Sequence, residues 1–252
     1  MKFDDLDSKM RIYETQNDIS VLPGMYLIAR IDGRGFTKLT KEQHNFEKPF
    51  DKRFNNIMIE TLQHLMNCGF NVIYGYTQSD EISLLFHFNE NSFARKRRKF
   101  ISLLAGEASA KFSVLLGDVA AFDCRIIELP NASLVLDYFR WRQEDAHRNS
   151  LSAHCYWLLR QNGQTPVIAT QHINKMSSAD KNEMLFSYGI NFNELPSWQK
   201  RGIGIYWKNV IKEGLNPIDN TLIKVERRKM FIDEELPIKE KYDQFIESIL
   251  NS

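Results

Sequence analysis

Asp32 and the adjacent pair Asp80-Glu81 are the residues of this 252-residue chain whose types and setting best suit chemistry. Asp32 follows the apolar run MYLIARI (Met25–Ile31) and opens the stretch Asp32-Gly33-Arg34-Gly35. Asp80-Glu81 sit at the turn of YGYTQSDEISLLF, between two strand-like halves. Acids in turns often do no more than bond the local backbone. Two acids brought to one place, however, repel unless a proton or cation lies between them. A hard divalent ion with oxygen ligands is the natural occupant, and Mg²⁺ suits phosphate chemistry. Gly33 and Gly35 would let backbone approach a triphosphate closely and offer N–H donors. The pattern predicts a two-metal nucleotidyl-transfer site, provided the fold joins positions 48 residues apart.

The elements that must join them are legible. Met25–Ile31 reads as a strand, bounded by Pro23-Gly24 and Asp32-Gly33. Phe54, Met58, Leu62 and Leu65 recur at helical spacing, with Asp51 as cap and Gly69 as stop. Phe70–Thr77 and Glu81–Phe88 read as strands. Asn91-Ser92 are expected to cap a long helix bearing Phe93, Phe100, Leu104, Ala108, Phe112 and Leu115. Phe122–Leu129 is a fourth strand. Strand, helix, strand, strand, helix, strand is the ferredoxin-like βαββαβ pattern of an α+β fold. Its spatial order, 4-1-3-2, sets the end of strand 1 beside the start of strand 3, about 4.8 Å away. That spacing suits two carboxylates sharing ions roughly 3.5–4 Å apart. Neighbours on a strand face opposite ways, so Glu81 is either a further ligand or a salt-bridging acid.

After Pro130 the chain is expected to be helical to about Gln161, with a short helix near Ser178–Ser187. Strands around Ile203–Val210 and Leu222–Phe231 and a helix from about Pro237 follow. No composition break separates the halves. We take residues 1–130 as the catalytic core and 131–252 as an elaboration packed on it.

Hydrophobic residues make up 43%, enough for a sizeable core, and 33 basic residues balance 32 acidic ones. Any nucleic-acid surface must therefore be a local patch. Cys68, Cys124 and Cys155 are widely spaced and form no CxxC pair, which argues against a disulfide framework or thiolate zinc site and for a reducing, cytoplasmic setting. The start, MKFDDLDSKMRIYE, is unlike a signal peptide, and no apolar run approaches the roughly 18 residues of a membrane span.

The stretches RIDGRGFTKLTKEQHNFEKPFD (Arg30–Asp51), GYTQSDEISLLF, LDYFRWRQEDAHRNSL (Leu136–Leu151), ADKNEMLF (Ala179–Phe186) and INFNELPSWQKRG (Ile190–Gly202) together resemble the tRNA-His guanylyltransferase family. These are polymerases that add nucleotides to tRNA 5′ ends in the 3′–5′ direction. The likeness spans about residues 24–207. It implies a polymerase-palm core, two Mg²⁺ ions on Asp32 and Asp80 with the Gly33 carbonyl, ATP and GTP or other NTPs as substrates, tRNA as partner and a homotetramer. It implies nucleotide binding by Arg30, Gly33, Arg34, Gly35, Phe36, Lys48, Ser79, Lys181 and Asn191. RNA or phosphate contact is implied for Arg125, His147 and Asn149. The eukaryotic branch carries His-Ile-Asn-Asn-Leu-Tyr-Asn where this chain has HRNSLSAH (His147–His154). In this the chain is similar to the bacterial and archaeal members. The implied activity is template-dependent repair of 5′-truncated tRNA; obligatory G addition to tRNA-His is the alternative.

Other candidates are plainer. The basic run Arg95–Lys99 at the opening of a helix opposes the helix dipole, and a phosphate bound by Arg95 and Lys99 would explain it. A solvated face is the bland reading. His147 and His154, seven apart, share a helix face; His147 is expected to face nucleotide or RNA, and His154 to be structural. Trp141, flanked by arginines, is the best stacking candidate among tryptophans that otherwise suit a core. A diguanylate-type cyclase would share the acid pair but carry Gly-Gly-Asp/Glu-Glu-Phe at the turn. An RNA-binding module would carry aromatics that EISLLFHF lacks.

Overall fold

The computed structural model describes residues 2–215 and 222–251. The order of elements is α1 (Phe3–Thr15), β1 (Tyr26–Arg34), α2 (Phe36–Lys38), α3 (Lys52–Leu65), β2 (Val72–Gln78), β3 (Glu81–Phe86), α4 (Arg97–Leu116), β4 (Ala121–Leu129), α5 (Ala132–Gln161), α6 (Pro166–Asn174), α7 (Ser178–Ser187), α8 (Ser197–Arg201), β5 (Ile203–Leu215), β6 (Leu222–Asp233) and α9 (Glu240–Leu250). This is a mixed fold of helices on a six-stranded antiparallel sheet of order β4-β1-β3-β2-β5-β6. The first four strands stand in the order expected from the sequence. β5 adds to the free edge of β2, so the second half of the chain continues the same sheet.

The sheet is covered on both faces, which explains why β2 and β3 are buried almost throughout. On one face α3 presents Met58, Leu62 and Leu65, and α4 presents Phe100, Leu104, Ala108 and Phe112. Each of these Met, Leu and Phe side chains contributes about 1.5–3 kcal/mol on burial. On the other face lie α5 and α9, with Val135, Phe139, Tyr242 and Ile246 inward. Two buried hydroxyl pairs fix these helices: Ser83 with Tyr138 at 2.9 Å, and Tyr74 with Tyr242 at 3.0 Å. The far half of α5 packs with α6 and α7 around Leu151, Cys155 and Leu185. Asp51 caps α3 as expected, accepting from the Arg53 N–H at 2.7 Å.

Three features differ from the sequence expectation. β1 runs on through Asp32 to Arg34, so Asp32 lies in the strand rather than after it. α1 and α6, and the short α2 and α8, form where no helix was expected. The helix expected from Asn91-Ser92 begins instead at Arg97, after a 3-10 turn in which Phe93, Ala94 and Arg95 take left-handed φ of 54°, 51° and 56°. Tertiary anchors override helix propensity there. The Glu90 carboxylate accepts the Ser92 N–H at 2.6 Å, and the Arg95 guanidinium donates to the carbonyls of Glu90 and Met25. Phe93 is consequently exposed rather than inward.

Candidate active site

β1 and β3 pair antiparallel with Asp32 opposite Glu81, and the Gly33 N–H donates to the Asp80 carbonyl at 3.0 Å. The hairpin turn places Ser79 at φ 54°, and its hydroxyl donates to Asp80 Oδ1 at 3.1 Å. Asp32 and Asp80 thus meet at one rim of the sheet. Burial raises the Asp80 carboxyl above its ordinary range, and the nearby charge of Asp32 adds to the rise. A negative group held against a second negative group in a half-buried site is what an uncompensated cation site looks like.

Glu81 is differently placed. Its carboxylate takes a bidentate pair from Arg142 at 2.7 and 2.8 Å and a further contact from Arg30 at 2.5 Å. Burial nonetheless raises its pKa, with the two arginines opposing. Of the two roles open to Glu81, the geometry is that of the salt-bridging acid.

The rim opens into a cleft of about 570 Å³ between the sheet edge, the loop after β1 and one face of α5. Arg30, Asp32, Ser79, Asp80 and Asn149 line it, as does Lys41, whose amine lies 5.2 Å from the Tyr156 ring and 5.8 Å from that of Trp157. Lys48 lines an adjoining recess with Trp157 and Trp198; its amine donates to the Thr40 carbonyl and lies 5.7 Å from the Trp157 ring. Burial, then the charge of Lys41, lowers the Lys48 pKa. The charge of an anion in the recess would offset both effects. Lys181 reaches the cleft wall from α7 through a 3.0 Å bond to the Ser152 hydroxyl.

The loop after β1 depends on its glycines. A Cβ on Gly33 would stand 2.6 Å from the Phe36 ring, and Gly35 takes φ 74° to start α2. Phe36, expected to contact nucleotide, is 2% exposed and packs 4.9 Å from Phe122 and 5.0 Å from Phe112. Its ring anchors the loop from beneath. Arg34 is exposed at the strand end, and Arg125 stands directly opposite Arg30 on β4, 3.4 Å from Asp123.

The structure corrects the basic run. Arg95 is 7% exposed and directs its donors to backbone carbonyls, so it has no face for phosphate. Lys96 and Arg98 pair with Asp18, and Lys99 lies 5.9 Å from the Phe93 ring. The segment follows the C-terminal end of β3, whereas Asp80 precedes its start, so Arg95 and Lys99 lie at the opposite end of the sheet from the acids. Asn191 and His147 are not brought to the acid cleft either. They line a separate hollow of about 310 Å³ with Asn182 and Phe186, where Asn191 bonds Glu194 at 2.8 Å. His154 is structural as expected, packed between Phe50 and Phe192, and burial lowers its pKa to about 4. Trp141 is half exposed, and its ring is held by the Arg142 guanidinium 4.6 Å away.

Arg142, Asp145, Ser152, Tyr156 and Lys41 belong to the cleft without having been expected there. Residues 142, 145, 149, 152 and 156 are spaced three or four apart, one polar face of a long helix, and that spacing is the signal the sequence offers for them.

Among the described residues no group of three or more His, Cys, Asp or Glu is arranged around a common metal position, and no helix is long and apolar enough to cross a membrane. Two carboxylates with room for waters and phosphates beside them still suit Mg²⁺, which seldom takes an all-protein cage.

Comparison with known proteins agrees with the fold. The family description "tRNAHis guanylyltransferase" matches residues 7–130, and "Thg1 C terminal domain" matches 133–246. The probable tRNA(His) guanylyltransferase of Mus musculus is 34% identical over 212 residues, covering 80% of this chain and 70% of its own. The tRNA(His) guanylyltransferase of Schizosaccharomyces pombe is 32% identical, with 84% of each chain covered. A solved bacterial tRNA(His) guanylyltransferase-like protein in complex with GTP superposes with a TM-score of 0.76 at 29% identity, over 98% of this chain and 100% of that one. The Saccharomyces cerevisiae enzyme gives 0.73 at 28% identity, over 81% and 93%. Fold and likeness make this an enzyme of the nucleotidyltransferase class. The chain belongs to the tRNA(His) guanylyltransferase family.

Proposed function

We propose that this protein adds nucleotides to the 5′ end of tRNA in the 3′–5′ direction, by template-dependent repair of 5′-truncated tRNA. The observation that carries the reading is the meeting of Asp32 and Asp80 at the mouth of a cleft lined by cations and hydroxyls. The four strands of residues 1–130 serve as a ferredoxin-like palm, and α5 and α6, from the elaboration of residues 131–252, form the wall of the cleft. The protein works in the cytoplasm as a tetramer.

Asp32 and Asp80, with the Gly33 carbonyl, would hold two Mg²⁺ ions. Bound there, Mg²⁺ supplies Lewis acidity towards the attacking 3′-hydroxyl and the phosphate oxygens. The chain's own groups do the rest. Lys41, Lys48 and Lys181 offset phosphate charge. Arg142 and Arg30 hold Glu81 and so fix the first residue of β3, directly after Asp80 in the turn. Gly33 and Gly35 let the loop pass close to the phosphates. An ATP-activated or triphosphate 5′ end and an incoming NTP are the two reactants, and the cleft's role is to align them.

Support for templating comes from α5. Ser152 and Ala153, which stand in HRNSLSAH, line the cleft beside Asn149 with small side chains. That leaves width for a paired base and supplies no fixed set of donors for one nucleobase. The names of the curated relatives favour the second reading, obligatory G addition to tRNA-His. The test is to give the protein tRNA lacking its first 5′ nucleotide, vary the opposing base and identify the nucleotide added. G opposite C and U opposite A, with slowing once the stem is complete, is expected. G added whatever the opposing base would replace the repair reading by the second.

A further inference from the structure

The cleft is longer than a single nucleotide. α5 lines it from Asp145 to Trp157, about 18 Å of helix. Asp145 marks the acid end, 3.2 Å from the guanidinium that holds Glu81. Tyr156 and Trp157 mark the far end. A stacked strand advances about 3.4 Å per nucleotide, so the trough is about five stacked nucleotides long. Thr37, Ser79, Asn149 and Thr170 on its walls are exposed, which leaves it open to solvent along its length.

The cations of the trough are of two kinds. Its arginines, Arg30 and Arg142, are engaged by Glu81. The others about it are lysines, set towards the far end. Lys181 bonds Ser152, Lys41 lies over the rings of Tyr156 and Trp157, and Lys48 lies over that of Trp157. Lys181 and Lys48 donate to a hydroxyl and a carbonyl rather than to an acid. A lysine is a point charge that meets any phosphate, whereas an arginine fork or a backbone nest selects phosphate geometry. Cations interleaved with partly exposed rings make a groove for a single strand's backbone.

The chemistry makes no use of the incoming nucleotide's own triphosphate. In 3′–5′ addition the bond that breaks lies on the activated 5′ end, and the attacking group is a 3′-hydroxyl. A strand that ends in a 3′-hydroxyl carries the same nucleophile. It has phosphodiesters where an NTP has its triphosphate.

We propose that the protein, granted its reading as a 5′-end repair enzyme, also seals nicks in duplex RNA, with the 3′-hydroxyl of a second strand in place of an incoming NTP. The 5′ phosphate at the nick first attacks the α-phosphorus of ATP, and pyrophosphate leaves with the electron pair. The second strand's 3′-oxygen then bonds the 5′ phosphorus. The anhydride bond to AMP breaks, AMP leaves with its electrons, and the hydroxyl proton goes to solvent. The strand behind the reacting 3′ end lies in the trough, its phosphates on Lys41, Lys48 and Lys181. Pairing to the opposite strand holds both ends in register.

The test uses the full chain with Mg²⁺, ATP and a tRNA that lacks its first four 5′ nucleotides and begins with a monophosphate. The four opposing bases are G or C, so ATP finds no partner for incorporation. A complementary tetranucleotide with 5′- and 3′-hydroxyls is supplied in one arm, and GTP with CTP in the other. The expected product of the first arm is an RNA four nucleotides longer, with one AMP released per joint. A 3′-deoxy or mismatched tetranucleotide should give none. Lys41→Gln should raise the KM for the tetranucleotide at least about fivefold. An unchanged KM takes the strand out of the trough and overturns the proposal. Addition of GTP and CTP without joining also overturns it, and leaves the repair reading intact. Failure of both arms sinks the two together. Joining that persists in Asp80→Asn comes from a contaminating ligase, and the proposal fails.

Discussion

Arg142 donates two parallel hydrogen bonds to Glu81, at 2.7 and 2.8 Å, from the middle of α5 to the first residue of β3. The pair crosses from one half of the chain to the other, with the Arg142 side chain 8% and that of Glu81 12% exposed. It locks the wall of the cleft to the strand that carries the acid turn. Breaking such a pair from one side leaves an uncompensated buried charge, at a cost of about 3–5 kcal/mol. Arg30 remains beside Glu81, so Arg142→Ala should fall near the low end, about 3 kcal/mol. Chemical denaturation of Arg142→Ala, Glu81→Gln and the double variant measures the coupling. Additive losses would show that the two side chains are independent.

The free acids should behave in the opposite way. Asp80→Asn relieves repulsion between Asp80 and Asp32, so without Mg²⁺ the variant should melt at or above the wild-type temperature. Added Mg²⁺ should raise the melting temperature of the wild type and leave Asp32→Ala and Asp80→Asn unmoved. Nucleotide addition by either should drop to background. Glu81→Gln, by contrast, should keep the Mg²⁺ response. A Mg²⁺ shift that survives in Asp80→Asn removes Asp80 from the metal set.

His154 gives the fold a pH dependence with a defined sign. Burial lowers its folded pKa to about 4, from an unfolded value near 6.5. Between these values the unfolded chain binds the extra proton, so stability is full above about pH 6.5 and is lost as pH falls towards 4. The loss is on the order of 2–3 kcal/mol. His154→Leu should flatten the stability curve between pH 6.5 and 4, measured by urea midpoints. A curve as steep as wild type would place the titration elsewhere.

Arg95 should act on stability and not on substrate. Its guanidinium holds the Glu90 and Met25 carbonyls at the end of the sheet away from the cleft. Arg95→Met should lower the unfolding free energy by about 1–3 kcal/mol through the two carbonyls left unpaired. The KM for tRNA and its salt dependence should stay as in wild type. A shallower salt slope for Arg95→Met would return Arg95 to the phosphate surface.

Much of the molecule is legible in the chain itself. Strand lengths, the helical spacing of Met58, Leu62 and Leu65 and the cap at Asp51 are local properties of backbone and burial, and they yield the order of elements. From that order alone the sheet can be inferred, and with it the meeting of Asp32 and Asp80, because antiparallel pairing of β1 and β3 leaves no other place for the two positions. What sequence cannot decide depends on contacts between distant residues. Arg95–Lys99 has the look of a free cationic face because helix propensity is local, whereas the Glu90 and Met25 carbonyls that claim Arg95 are fixed only by the fold. Glu81 can be a ligand or a partner by type alone, and Arg142, 61 residues on, makes it a partner. The family resemblance groups His147 and Asn191 with the acids, yet α5 sets His147 in a different hollow because its position falls on the opposite face of the helix from Arg142, Asn149 and Ser152. The sequence determined which acids meet; the tertiary structure decided which of their charged neighbours are already paired, since pairing in a half-buried site depends on angstrom-scale distance and not on residue type.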